Sequence, residues 1–212
     1  MIEGEDRVVG VLLAGGQSRR MGGGDKCLNE IGGATILERV IAAARPQVDH
    51  LILNTNGEAR RFAAYGLTVV PDDPAEFAGP LSGVLAGMEW AATHASECPW
   101  LASFPTDTPF LPRTLVARLL AGVENGADIA CATSGGRLHP VCALWPVGLR
   151  AELRRALHQE GLREVRQWAR RYRVAEVPFE TAPVDPFFNV NRPEDLIAAE
   201  AILAEAAMGG EP

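Results

Sequence analysis

Short apolar runs alternate with helical periodicities along the whole 212-residue chain. Val8–Leu13 is a β-rich run interrupted only by Gly10, the pattern of a central parallel strand covered on both faces. Residues 35–45 follow with helical spacing. Thr35 stands at the N-cap, Glu38 at the capping-box position, and Pro46 lies just past the end. Further strands are predicted at 51–53, 67–70, 100–104, 128–132 and 174–177, with an extended segment at 138–145. Helices are predicted at 59–64, 81–95, 114–123, 148–158, 162–171 and 195–207. Within 81–95, Leu81, Val84, Leu85 and Met88 share one face. Repeated strand–helix units of this kind predict an α/β fold of three layers, a mostly parallel central sheet with helices on both faces. Such sheets bind ligands outside the C-terminal ends of their strands.

The length fits one large domain, 1–212, with no linker, repeat or low-complexity segment. Twenty basic and 27 acidic residues leave a formal charge of -7, which argues against nucleic acid or an anionic membrane as the main partner. The longest apolar run is far short of the ~20 residues that cross a bilayer. An acidic start, Glu3-Gly4-Glu5-Asp6, lacks the positive region of a secretory signal. Cys27, Cys98, Cys131 and Cys142 show no metal or disulfide spacing and read as reduced, half-buried residues of a cytoplasmic protein. Among the 20 basic residues only Lys26 is a lysine. It follows Asp25 rather than glycine, so a Walker A loop is excluded.

That lysine closes the segment with the clearest chemistry. Between Gly15 and Lys26, after the first strand, lie five glycines and the cations Arg19, Arg20 and Lys26. Glycines let backbone N–H groups approach an anion, and the cations add charge, so the loop suits a polyphosphate. No Gly-x-Gly-x-x-Gly occurs in it, so it is not a Rossmann dinucleotide fingerprint. Asp107 follows the strand at 100–104 and is held between Pro105 and Pro109. A rigid carboxylate there suits Mg²⁺; equally, it is a turn aspartate ahead of the next helix. Asn54 and Asn56 end the second strand, Asp72 and Asp73 the third, and Gly79-Pro80 opens a helix whose N-terminus attracts anions. Asn189 and Asn191 place two amides on one side of an extended chain, ahead of Pro193-Glu194-Asp195. His139, before Pro140, is a candidate cleft-lining residue, whereas His50, His94 and His158 read as surface positions.

Leu13-Ala14-Gly15-Gly16 through Arg19, Met21-Gly22 and Asp25-Lys26 resembles the opening motif of nucleotidyltransferases with a Rossmann-like sheet. Together with Gly79-Pro80-Leu81, Asp107-Thr108-Pro109-Phe110, His139-Pro140-Val141 and Asn189-Val190-Asn191, the chain resembles the molybdenum cofactor guanylyltransferases, the MobA family. The motifs run in order from Val9 to Leu196. The resemblance implies transfer of GMP from GTP to molybdenum-bound molybdopterin, with pyrophosphate released and Mg²⁺ as cofactor. It implies a nucleotide-binding half at about 7–110 and a substrate-binding half at about 111–207.

By the same resemblance Leu13, Ala14, Gly15, Gly16, Asn54, Asp72 and Gly79 contact the nucleotide, and Lys26 and Arg19 offset its phosphates. Asp107 then holds the metal, and Asn189 and Asn191 position the molybdopterin. Cofactor-delivery proteins and acceptor molybdoenzymes are the further partners it implies. Arg192 stands where the family usually has threonine before the proline, which leaves two readings: Asn191 caps the last helix, or Arg192 meets a substrate phosphate. The alternatives are molybdenum cofactor cytidylyltransferase, whose opening motif commonly reads Leu-Ala-Ala-Gly, another small-molecule nucleotidyltransferase, and a non-catalytic nucleotide-binding protein.

Overall fold

The computed structural model describes residues 6–14, 25–56, 58–73 and 79–208. The glycine-rich loop, with Gly15, Gly16, Arg19 and Arg20, lies outside them. Seven strands form one sheet in the order β5-β4-β1-β6-β8-β7-β9. These are β1 (Val8–Leu13), β4 (His50–Asn54), β5 (Thr68–Val70), β6 (Trp100–Pro105), β7 (Ile129–Ser134), β8 (Arg137–Pro146) and β9 (Val174–Phe179). A separate small hairpin joins β2 (Glu30–Ile31) to β3 (Ala34–Thr35). All neighbouring pairs of the sheet are parallel except those made by β8, which runs against both β6 and β7.

Alternation along β1 decides what covers each face. Val8 and Leu12 belong to one core, with α1 (Ile36–Ala44), α3 (Leu115–Glu124) and Ala199 of α6 (Pro193–Met208). Val9 and Val11 belong to the other, with α2 (Pro80–His94), α4 (Arg150–His158) and α5 (Val165–Ala169). The sheet is therefore the middle layer of three, as the sequence pattern predicts. Helix α1 begins where the capping box places it: Thr35 Oγ1 accepts from the Glu38 N–H at 3.1 Å, and Glu38 accepts from the Thr35 N–H at 2.7 Å.

The helix predicted at 59–64 is present, as a 3-10 helix over Ala59–Tyr65. Two expectations need correction. The arginine-rich stretch at 162–171 is helical only over Val165–Ala169. All four cysteines are fully buried free thiols, not half-buried ones, and burial pushes Cys27 and Cys131 up to about 12. They pack as small apolar groups and are not nucleophiles at neutral pH.

Two features of the sheet position the site. The chain runs outward from β1 to β4 and β5, then crosses back through α2 to β6 on the other side of β1. The strand order thus reverses between β1 and β6, and the C-terminal ends open there into a crevice. Register aligns those ends, with Leu13 opposite both Asn54 and Pro105, and Asn54 opposite Val70. The second feature is the β7–β8 hairpin. Gly135 and Gly136 take φ of +53° and +73°, the two left-handed positions a tight turn between twisted strands requires. Past the turn Ala132 pairs with His139 but Cys131 with Ala143, so residues 140–142 bulge out of that ladder. Proline at 140 lacks the N–H a ladder would use there, and bulges re-aim side chains beside functional sites.

Candidate active site

The crevice at the strand ends is a cleft of about 520 Å³. Leu13, Ala14, Asn54, Asp72, Gly79, Lys26, Asp107 and Asn189, all named from the sequence, line it together, and Asn191 joins them through Lys26. The His139–Cys142 bulge forms a further wall. Gly15, Gly16 and Arg19 lie outside the described residues.

On the first wall the polar groups hold one another. Ala14 donates its N–H to the Asn54 carbonyl at 2.9 Å, continuing the β1–β4 ladder one step beyond the strand. The Asn54 side chain is 3% exposed and donates to Asp72 at 2.7 Å and to the Val70 carbonyl at 3.1 Å. Asn56 donates to the other Asp72 oxygen at 2.6 Å and accepts from the Asp72 N–H at 2.9 Å. Asp72 thus has a partner on each carboxylate oxygen, as a carboxylate this close to the core requires. Asn54 acts as a clamp on Asp72 and β5. Helix α2 reaches this wall because residue 83 is glycine: a Cβ there would lie 2.3 Å from Asn54 Oδ1 and 2.6 Å from Leu13 Cδ2. Gly79 and Pro80 bring the α2 N-terminus, the positive end of the helix dipole, to the cleft.

The second wall is built from residues distant in sequence. Thr106 Oγ1 donates to the Leu13 carbonyl at 3.1 Å, tying the β6 loop to β1. The Val190 N–H donates to the Asp107 carbonyl at 2.8 Å, and Thr108 Oγ1 donates to Asn189 Oδ1 at 2.7 Å. Thr108 is wholly buried. Lys26 Nζ donates to Asn191 Oδ1 at 2.9 Å, across 165 residues of chain. Both asparagines thus turn their carbonyl oxygens to the protein. Their amide N–H groups have no partner among the described residues and are free for an anionic oxygen.

Asp107 is raised above the ordinary carboxylate range by burial, and the Lys26 ammonium offsets part of that rise. A lysine and a desolvated carboxylate therefore share one cleft, an arrangement seen where phosphates and a cation meet. Asp107 does not belong to any cluster of three metal-ligating side chains among the described residues. Its single hard oxygen donor group fits a cation that takes its remaining ligands from phosphate oxygens and water, as Mg²⁺ does.

The last helix rules out one of the two readings Arg192 left, that Asn191 caps it. Asp195 accepts from the N–H groups of Asn191 at 2.7 Å and Arg192 at 2.8 Å, so its carboxylate caps α6 from inside the first turn. Asn191 is engaged with Lys26 instead. Arg192 is exposed.

Sequence reasoning singled out His139 but not its support. The ring stacks on Phe187 with centroids 4.5 Å apart, and Nε2 lies 2.8 Å from Ser134 Oγ. Ser134 donates in turn to Asp185 at 2.8 Å. No spacing could reveal Ser134 and Asp185, which are 51 residues apart and meet only through the hairpin.

Fold and site together define a nucleotidyltransferase. Residues 10–175 match the family model of the MobA-like NTP transferase domain. The chain is 54% identical over 196 residues to a molybdenum cofactor guanylyltransferase of Nitrobacter hamburgensis, covering 92% of this chain and 94% of that one. It is 54% identical over 198 residues to another of that name from a Bradyrhizobium strain, covering 93% of each. Among solved structures it is similar to molybdopterin-guanine dinucleotide biosynthesis protein A of Archaeoglobus fulgidus, with TM-score 0.74 and 24% identity over 93% of this chain and 99% of that one. This chain belongs to the MobA-like NTP transferase family. No helix among the described residues is long and apolar enough to cross a membrane.

Proposed function

We propose that the cleft transfers GMP from GTP to the terminal phosphate of molybdenum-bound molybdopterin, forming the guanine dinucleotide cofactor and releasing pyrophosphate. The observation that carries this is the meeting of Lys26, Asp107, Asn189 and Asn191 at the switch point between β1 and β6. Relatives about half identical over nearly their full length bear the guanylyltransferase name.

The chemistry asks for positioning and charge more than for covalent work. Leu13, Ala14 and Gly79 border the nucleotide, and Asp72, clamped by Asn54 and Asn56, offers a fixed acceptor edge beside it. Lys26, aimed by Asn191, faces the phosphates, with Arg19 of the preceding loop as a second cation. Asp107 would hold Mg²⁺, which supplies charge neutralisation at the phosphate oxygens when bound. The free amide groups of Asn189 and Asn191 orient the incoming acceptor phosphate. That nucleophile already carries negative charge, so the site has no need of a strong base to create it. In this reading residues about 7–110 bind nucleotide and about 111–207 bind acceptor, within 1–212 as one unit. The protein works in the cytoplasm, where delivery proteins and acceptor molybdoenzymes exchange the cofactor with it.

A pyrophosphate-release assay with paired GTP and CTP and the molybdopterin acceptor tests the reading. Faster turnover with GTP, abolished by chelation and restored by Mg²⁺, is expected. Faster turnover with CTP overturns the guanine assignment, and undiminished turnover in chelator overturns the metal.

A further inference from the structure

The wall formed by the β8 bulge carries a set of groups with no part in the mechanism above. Ser134 Oγ has one proton, and a carboxylate can only accept, so that proton points to Asp185 Oδ1. The remaining contact, 2.8 Å to His139 Nε2, then requires that nitrogen to carry the hydrogen. A neutral imidazole with its proton on Nε2 has a bare lone pair on Nδ1. Nδ1 has no partner among the described residues, and the ring lines the cleft. Rotation about the ring axis is opposed by stacking on Phe187. Asp185 is itself oriented by the Phe187 N–H at 3.0 Å, so the whole array is cross-braced.

Burial above all favours the neutral form of His139. Burial lowers its pKa; Asp185 opposes this, and Arg137 on β8 and Arg166 on α5 add to the lowering. A bare lone pair repels phosphate oxygens, which are acceptors, and welcomes an N–H or O–H. The ligand group at this wall is therefore a hydrogen-bond donor. Sheet order assigns it to the acceptor, since β8 lies across β6 from β1, on the side away from β4 and β5.

Resting on the transfer reading above, we propose that His139 Nδ1, held in one tautomer by Ser134 and Asp185, accepts a hydrogen bond from an N–H donor of the acceptor's heterocycle. His139 is then a specificity residue for the pterin-bearing substrate, and Ser134 and Asp185 are positioning residues that act through it. Protonation of Nδ1 destroys the acceptor, so affinity for this substrate falls as pH falls through the His139 pKa.

The experiment pairs spectroscopy with kinetics. Long-range proton–nitrogen NMR spectra of the nitrogen-15-labelled protein near neutral pH are expected to show His139 as the neutral Nε2–H form. An Nδ1–H tautomer or an imidazolium overturns the proposal. In pyrophosphate-release assays with GTP and molybdenum-loaded molybdopterin, His139→Ala is expected to raise the acceptor KM about five- to tenfold, the worth of one neutral hydrogen bond. The GTP KM should stay within about twofold. His139→Gln, whose amide oxygen also accepts, should recover most of the loss and flatten its acid side. Ser134→Ala, which keeps the ring but frees the tautomer, should fall between. An unchanged acceptor KM in His139→Ala, or an equal rise in both KM values, sinks the proposal. Wild-type protein that releases no pyrophosphate with this acceptor fails the transfer reading and this proposal together; turnover indifferent to His139→Ala fails this proposal alone.

Discussion

The two walls of the cleft solve the same problem differently. On the wall of β1, β4 and β5, the polar residues are neighbours in sequence: Asn54, Asn56 and Asp72 brace one another across 16 to 18 residues. On the opposite wall the braces span 81 residues from Thr108 to Asn189 and 165 from Lys26 to Asn191. The first wall can form as soon as three adjacent parallel strands pair. The second exists only when the 185–191 segment has returned to lie along the β6 loop. In the proposed reaction, nucleotide recognition would thus rest on a locally determined frame, and the reacting groups on contacts that report completion of the fold.

The strongest challenge to that division is Lys26→Ala. Turnover should drop by about a thousandfold, as when a single charge-stabilising donor is removed, while the thermal midpoint stays put. Near-normal turnover would mean that the long-range wall does not carry the chemistry. Asp107→Asn should cost at least about a hundredfold and abolish the response to Mg²⁺ titration. Because the Asp107 pKa is raised, its carboxylate takes up a proton at a higher pH than an exposed one does. In the metal-free protein the Asp107 carboxyl should therefore titrate at a higher pH than an exposed aspartate, and an unperturbed carboxyl titration followed by NMR would contradict its burial in the cleft.

Gly83→Ala probes the first wall. A methyl 2.3 Å from Asn54 Oδ1 must displace the clamp or the helix, at about 2 kcal/mol in urea unfolding, with GTP affinity weakened alongside. Full stability would show that α2 moves freely. Asn191→Ala should reduce kcat about tenfold through a mis-aimed Lys26, and should cost less in a Lys26→Ala background, where only the amide contact with the acceptor is left to lose. Additive losses in the double variant would separate the two residues. The smallest effect belongs to Thr35→Ala, which removes half of the α1 capping box. It should cost about 1 kcal/mol of stability and leave turnover unchanged, marking the frame as independent of the chemistry.

Much of this is legible in the sequence alone. The capping box at Thr35 and Glu38, the strand ends at Leu13 and Asn54, and the α2 start at Gly79-Pro80 follow from local residue preferences. Asn189 and Asn191 could be marked as a same-side pair, because alternation in an extended chain is a local rule. What they touch could not be read. The pairing of Asn191 with Lys26 also answered the capping question, since one carbonyl oxygen was committed and Asp195 took the helix end. The antiparallel course of β8 escaped the pattern, although Gly135-Gly136 between two apolar runs is a hairpin signal. The short extent of α5 escaped too, because helical spacing persists beyond the residues that packing holds.

By itself, the sequence determined the three-layer strand–helix alternation, the lone lysine after the first strand, and the carboxylate fixed between prolines at Asp107. These depend on backbone preferences and apolar spacing, which act over a few residues. The tertiary structure alone decided that Asn191 aims Lys26, that Thr108 locks Asn189, that Gly83 admits α2 against Asn54, and that Ser134 and Asp185 set the proton on His139. Each of those is a contact between groups that meet only when sheet order and the β8 bulge bring distant segments within hydrogen-bond reach.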